Sequence, residues 1–222
     1  MNTLDAARRL GLAASLATLA AGSAGAAPAK PVPAIDLRTA RIVDLTHPFD
    51  ERTLYWPTAP SGFKLERLHY GPTAAAAADP DHRLTLDEVK AWEAAHGRVP
   101  DGAIVLLRTG WSARWPDKKR YLGDDTPGDA SALHFPSYGR EAVRWLVDER
   151  KVAAIGVDTA SIDHGPSKDF PVHQVVAAAN VPGLENLASL EALPARGAWV
   201  IALPMKIGGG SGGPLRAIAL VP

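Results

Sequence analysis

Residues 140–158, "REAVRWLVDERKVAAIGVD", constrain the fold more than any other stretch of the chain. Val143, Leu146 and Val147 fall on one face at a period of 3.6, and charged residues fill much of the remainder. The apolar run "VAAIGVD" follows at once, leaving no room for a long connection. An amphipathic helix therefore delivers the chain directly into a strand. That strand carries apolar residues on both faces, so layers must cover it from both sides.

The same pattern recurs elsewhere. "LTLDEVKAWEAAHG" reads as a helix in which Thr85 and Glu88 form a capping box and Gly97 lies just past the last turn. "GAIVLLRTGW" then gives a strand over Ala103 to Arg108. "ARIVDL", Ala40 to Leu45, reads as a buried strand that ends in the turn "THPF". "GAWVIALPM" and "PLRAIALVP" close the chain as two strands with no helix between them. Alternating strands and helices define an α/β domain, and the missing last helix predicts a mixed rather than purely parallel sheet. Residues Trp111 to Tyr138 are rich in Pro, Gly and Asp and read as a long surface loop. "LENLASLEAL" reads as a short helix or turn.

The first 26 residues read as an export signal: Arg8 and Arg9, an apolar run from Leu10 to Ala21, and the small-residue site Ala24–Ala26. This predicts a mature chain starting at Ala27 in the bacterial periplasm or outside the cell. Residues 27–39 follow as a Pro/Ala linker, and 40–222 form one domain. No later segment is apolar enough to span a bilayer.

Charge excludes further classes. The chain carries 24 basic and 24 acidic residues, so no net positive field favours nucleic acid or an anionic membrane. It has no cysteine, which removes disulfides, thiolate nucleophiles and cysteine metal sites. A metal would have to be held by His, Asp and Glu, which suits zinc, manganese or iron. The string "GGSGG" has a serine but no strand-turn-helix context for a nucleophile elbow, and "GGGSGGP" lacks the lysine of a phosphate loop.

Several residues could carry chemistry. His173 and Glu185 lie twelve positions apart in a largely apolar setting, and both types bind metals and move protons. Their plainer reading is a loop histidine and a helix-start carboxylate. Tyr55 and Trp56 in "LYWP" suit either an aromatic pocket wall or the core. Asp158 and Asp163 follow an apolar strand, where they either orient ligands or satisfy backbone amides in the turn. His47 in "DLTHP" is expected to fix its turn by hydrogen bonding, and His69 to sit at a loop edge.

Five segments, in order, carry a family resemblance: "DLTHPFDERTLYWP", "GAIVLLRTGW", "AIGVDTASID", "PVHQVV" with "VPGLENLASLEALP", and "GGSGGPLRAIAL". From Asp44 to Leu220 the chain resembles the cyclase superfamily, whose members include bacterial kynurenine formamidases. The resemblance implies a swivelling β/β/α fold and a metal-dependent hydrolase of the arylformamidase type. Such an enzyme opens an amide C–N bond with a metal-activated water, the metal being zinc or manganese. It further implies that His173 and Glu185 are metal ligands and that Tyr55 and Trp56 contact the substrate. The implied substrate is a small molecule, such as a formylated aromatic amine of tryptophan breakdown, and the implied assembly is a homo-oligomer. The family's remaining ligands and its general base lie in a pattern H-x-G-T-H-x-D-x-P-x-H, which this chain does not contain. In its place runs "LHYGPTAAAAADPDHRLTLDEV", which reads as an internal deletion near residues 73–80. The domain is therefore expected to be incomplete, and the rival reading is a catalytically dead or truncated relative that keeps only binding or oligomer surfaces.

Overall fold

The computed structural model describes residues 36, 38–48, 52–54, 79–208 and 212–221. Tyr55, Trp56, His69, the export signal and most of the 73–80 seam lie outside the described residues. Strand β1 is Arg41–Asp44, β2 Arg83–Leu84, β3 Ile104–Leu107 and β4 Ser137–Tyr138. Strand β5 is Ala154–Val157, β6 Gly183–Leu184, β7 Trp199–Pro204 and β8 Leu215–Val221. The helices are α1 Leu86–His96, α2 Lys118–Leu122, α3 Arg140–Arg150 and α4 Pro171–Ala178.

The chain has the expected α/β class, with its strands sorted by direction. β3, β5 and β6 form a parallel sheet with β5 in the centre, while β1, β8 and β7 form an antiparallel one. β2 and β4 make a short parallel pair. The expected mixture of directions therefore lies between sheets rather than within one. An isolated antiparallel bridge, Thr46 with Leu187, joins the two larger sheets, and the Ala188 amide donates to the Leu45 carbonyl at 2.9 Å. β7 ends at Pro204 and β8 begins at Leu215, and so short a connection pairs strands in antiparallel fashion.

Packing builds three layers. Every residue of β5 is buried. On one side of the parallel sheet, Val105, Leu107, Ile155 and Val157 meet Val143, Leu146 and Val147 of α3 and Val172 and Val176 of α4. On the other, Ile104, Leu106 and Leu184 meet Val43, Ala217 and Ala219 of the antiparallel sheet. Val143 and Leu146 are fully buried, as the helical period predicts, and each contributes about 1.5–3 kcal/mol. The capping box of α1 forms: Thr85 Oγ1 accepts from the Glu88 amide at 3.2 Å, and Glu88 Oε2 accepts from the Thr85 amide at 2.7 Å. The outer face of the antiparallel sheet leaves Ile42, Trp199, Ile201 and Leu203 exposed.

Residues 111–138 are not the surface loop that their composition suggests. They contain a 3-10 turn at Trp111–Arg114, then α2, then β4. Trp111, Tyr121, Leu122, Leu133 and Phe135 join Ala160 in a buried cluster of their own. The Trp111 indole N–H donates to the Tyr121 carbonyl at 2.7 Å, which satisfies the one polar atom such a ring must bury. Apolar residues spaced irregularly along a Pro- and Gly-rich chain give no periodic signal, so this core is invisible to pattern reading.

Candidate active-site cleft

The chain leaves β5 at its carboxyl end, the usual place for ligands in α/β sheets, and enters "DTASID". Asp158 is 1% exposed. Its carboxylate accepts from the Thr109 amide and hydroxyl at 2.9 and 2.7 Å and from the Gly110 amide at 2.8 Å. It therefore ties the ends of β3 and β5 together, which is the backbone-satisfying role, not a ligand-orienting one. Burial raises its pKa above the ordinary aspartate value.

Asp163 does both. It is 1% exposed and lies opposite the start of α4, whose own N-cap, Phe170, offers no side-chain acceptor. Asp163 Oδ1 accepts from the Val172 amide at 2.8 Å and Oδ2 from the His173 amide at 3.0 Å, so a carboxylate from another segment caps the helix. The same Oδ2 lies 2.7 Å from His173 Nδ1. That bond places the Nδ1 proton toward Asp163 and turns Nε2 toward Glu185, whose Oε1 lies 3.4 Å away. Glu185 directly follows β6, and its Oε1 accepts from the Ile162 amide at 3.0 Å. Neither plainer reading holds: His173 sits in the first turn of a helix, and Glu185 follows a strand.

The electrostatics follow from this line of three groups. The Asp163 hydrogen bond, reinforced by the charge of Glu185, raises the His173 pKa above the usual histidine value against the opposing effect of burial. Burial pulls Asp163 upward, but the bonds from the His173 ring and the two α4 amides outweigh it and leave its pKa low. Burial dominates at Glu185 and raises its carboxyl, with the Ile162 amide and His173 opposing. A histidine made more basic by Asp163 thus faces, at 3.4 Å, a glutamate made less acidic by burial.

These groups open into a cleft of about 560 Å³ lined by Leu54, Leu122, Ala160, Ser161, Phe170, His173, Glu185 and Asn186. Asn186 adopts the left-handed conformation, φ 55°, which asparagine tolerates. Its Oδ1 accepts from the buried Tyr121 hydroxyl at 3.0 Å. Burial holds the Tyr121 pKa well above the ordinary value, so that hydroxyl stays protonated and donating. Sequence reasoning missed Ser161, Phe170, Asn186 and Tyr121. One signal was available: Phe170 and Asn186 are direct neighbours in sequence of the α4 start and of Glu185.

His47 is not fixed by hydrogen bonding in the expected way. Its Nε2 is buried without a partner. The ring instead stacks on Trp115 at 4.2 Å and 9°, and burial lowers its pKa to about 4.

By residue type, His173 and Glu185 suit zinc or manganese, and a histidine held through its other nitrogen by a carboxylate is the usual metal-binding form. A catalytic ion takes about three protein ligands. Among the described residues, no three His, Asp or Glu side chains converge in a way that could hold one. The described residues alone therefore do not fit a catalytic metal.

A helix layer over a parallel sheet, backed by an antiparallel sheet, makes a cyclase-like α/β domain. The chain belongs to the cyclase family, whose "Putative cyclase" description matches residues 68–164. It is 36% identical over 171 residues to a kynurenine formamidase of Paracidovorax citrulli, covering 70% of this chain and 72% of that protein. It is 41% identical over 151 residues to an isatin hydrolase of Roseibium aggregatum, covering 66% of this chain but 56% of that relative's length. Isatin hydrolase A from Ralstonia solanacearum superposes with a TM-score of 0.70 at 32% identity, covering 83% of this chain and 93% of that one.

Proposed function

We propose that the chain is an amide hydrolase of the arylformamidase type whose cleft takes an aryl amide or the acid formed from it. The observation that carries this reading is the Asp163–His173–Glu185 line facing a cleft with apolar walls. The names of the relatives, isatin hydrolase and kynurenine formamidase, support the reaction class. Within it, the chain's own residues have clear roles. Leu54, Leu122, Ala160 and Phe170 exclude water around the apolar part of the ligand. Asp163 fixes the tautomer and orientation of His173. The His173 Nε2 and Glu185 Oε1 pair can accept a proton from an attacking water and deliver that proton to the departing amine.

A second reading is a relative with little or no turnover. It is favoured by one observation, the lack of the H-x-G-T-H-x-D-x-P-x-H pattern in the sequence. We propose zinc or manganese as the family cofactor, for which His173 and Glu185 would be donors in place of proton transfer, with binding weakened by the short donor set. The experiment is hydrolysis of formanilide with and without added zinc or manganese, alongside calorimetric metal titration, on the full chain and on His173→Ala. The expected result is weak metal binding that His173→Ala abolishes, and hydrolysis that is low until the missing pattern is restored between Thr73 and Leu84. Fast turnover by the unaltered chain that His173→Ala leaves intact would place the chemistry elsewhere and refute the assignment.

A further inference from the structure

Phe170 stands in a backbone conformation that phenylalanine rarely takes. Its φ is 48° and ψ 57°, in the left-handed region, which bulky side chains avoid. It also precedes Pro171, and the residue before a proline is pushed toward extended backbone. The surroundings hold it there regardless. The Phe170 amide donates to Ser167 Oγ at 3.0 Å, and its carbonyl accepts from the Gln174 amide at 3.0 Å. Ser167 is itself buried. Strain that neighbours enforce this thoroughly is characteristic of ligand sites.

The strain has a visible result. The Phe170 ring is not spent on the core: it is 40% exposed and lines the cleft. It meets the His173 ring edge to face, with centroids 5.8 Å apart and planes at 87°. Leu54, Leu122 and Ala160, which also line the cleft, are apolar. A flat ligand ring seated against Phe170 would meet these apolar neighbours, and aromatic pairs prefer centroids about 4.5–7 Å apart. With its centroid 5.8 Å from that of His173, Phe170 places a ring seated against it beside the His173–Glu185 pair.

We propose that Phe170 is a specificity-determining residue. It seats the aryl ring of a ligand whose amide or carboxyl carbon, or amide nitrogen, is bonded directly to that ring, and it presents that group to His173 and Glu185. This rests on the amide-hydrolase reading, and the test separates the two. Binding is measured by saturation-transfer NMR titration on the full chain, a readout independent of turnover. The probes are formanilide, N-cyclohexylformamide as an aliphatic match in size, and benzyl alcohol as an aromatic without an amide. Wild-type protein and Phe170→Tyr are expected to prefer formanilide to N-cyclohexylformamide by about 3- to 10-fold, the range expected of one aromatic pair. Phe170→Leu is expected to erase that preference while leaving N-cyclohexylformamide within about twofold and Tm within about 2 °C, a shift of under 1 kcal/mol for a chain of this size. A preference that is absent in the wild type, or that survives in Phe170→Leu, overturns the role of Phe170 and leaves the amide reading standing. Benzyl alcohol binding as tightly as formanilide, with both weakened in Phe170→Leu, keeps the aryl seat and overturns the amide reading. Binding of none of the three overturns both.

Discussion

Asp163→Asn is the substitution that most directly tests how the cleft is built. Asp163 accepts three hydrogen bonds through two oxygens: Val172 N on Oδ1, and His173 N and Nδ1 on Oδ2. An asparagine has one oxygen and one NH₂ group. Its least costly orientation keeps the oxygen toward His173 and points NH₂ at the Val172 amide, donor against donor. One buried bond is lost and two lose their charge assistance. Bonds to charged groups contribute about 1.5–3 kcal/mol each, and an orphaned buried donor costs about 1–3. The expected loss is therefore about 3–5 kcal/mol, or roughly 10 °C or more in Tm. The pH dependence has a definite sign. His173 has a raised folded pKa, so its contribution is complete below the unfolded value near 6.5 and is lost as pH rises through the folded value. Asp163 has a lowered folded pKa, so its contribution is present above about 3.8 and is lost as pH falls. The pair is thus strongest between those limits. Urea unfolding of chelator-treated protein should show a larger gap between wild type and Asp163→Asn at pH 5.5 than at pH 8.5. An equal gap at both values, or a gap under about 0.5 kcal/mol, would refute the ion pair as drawn.

Three further outcomes follow from the packing and the sequence. Leu133 is fully buried in the cluster around Trp111, so Leu133→Ala should cost about 2–5 kcal/mol by chemical denaturation, whereas a surface-loop leucine would change stability by about 0.5 or less. A Cβ placed on Gly165 would lie 2.2 Å from the Leu133 carbonyl oxygen; Gly165→Ala should therefore destabilise by about 3 kcal/mol or more, because backbone cannot yield as a side chain can, and a melting temperature equal to wild type would contradict the close approach. The export reading predicts that protein recovered from its native host begins at Ala27, and intact-mass spectrometry showing Met1 retained would exclude cleavage there.

What the sequence revealed and what it concealed divide along physical lines. α1 and α3 were legible because their signals are local: a capping box, a terminal glycine, and a 3.6-residue stripe ending against a strand. β5 was legible because four consecutive buried residues leave an unbroken apolar run. α4 was not, since eight residues containing Pro171 and His173 carry too little period to separate helix from loop. The candidate site shows the same division. His173 and Glu185 could be named from residue type and family order, and the structure brings them together at 3.4 Å. The group that makes them act together, Asp163, could be named only beside Asp158, because the two share one sequence signature. Both are aspartates in a turn after β5, and both accept backbone amides. Only the path of the chain distinguishes them. Asp158 faces back toward β3, where it closes the sheet, while Asp163 faces the start of α4, where one carboxylate caps a helix and aims a histidine. The helix start therefore sets the cleft geometry: Pro171 begins α4, Phe170 is held in a strained turn before it, and Asp163 replaces the missing cap. A single change to that turn should move the aryl seat and the His173–Glu185 pair together. This coupling follows from the backbone bonds through Ser167, Gln174 and Asp163, and short-range sequence rules do not contain it.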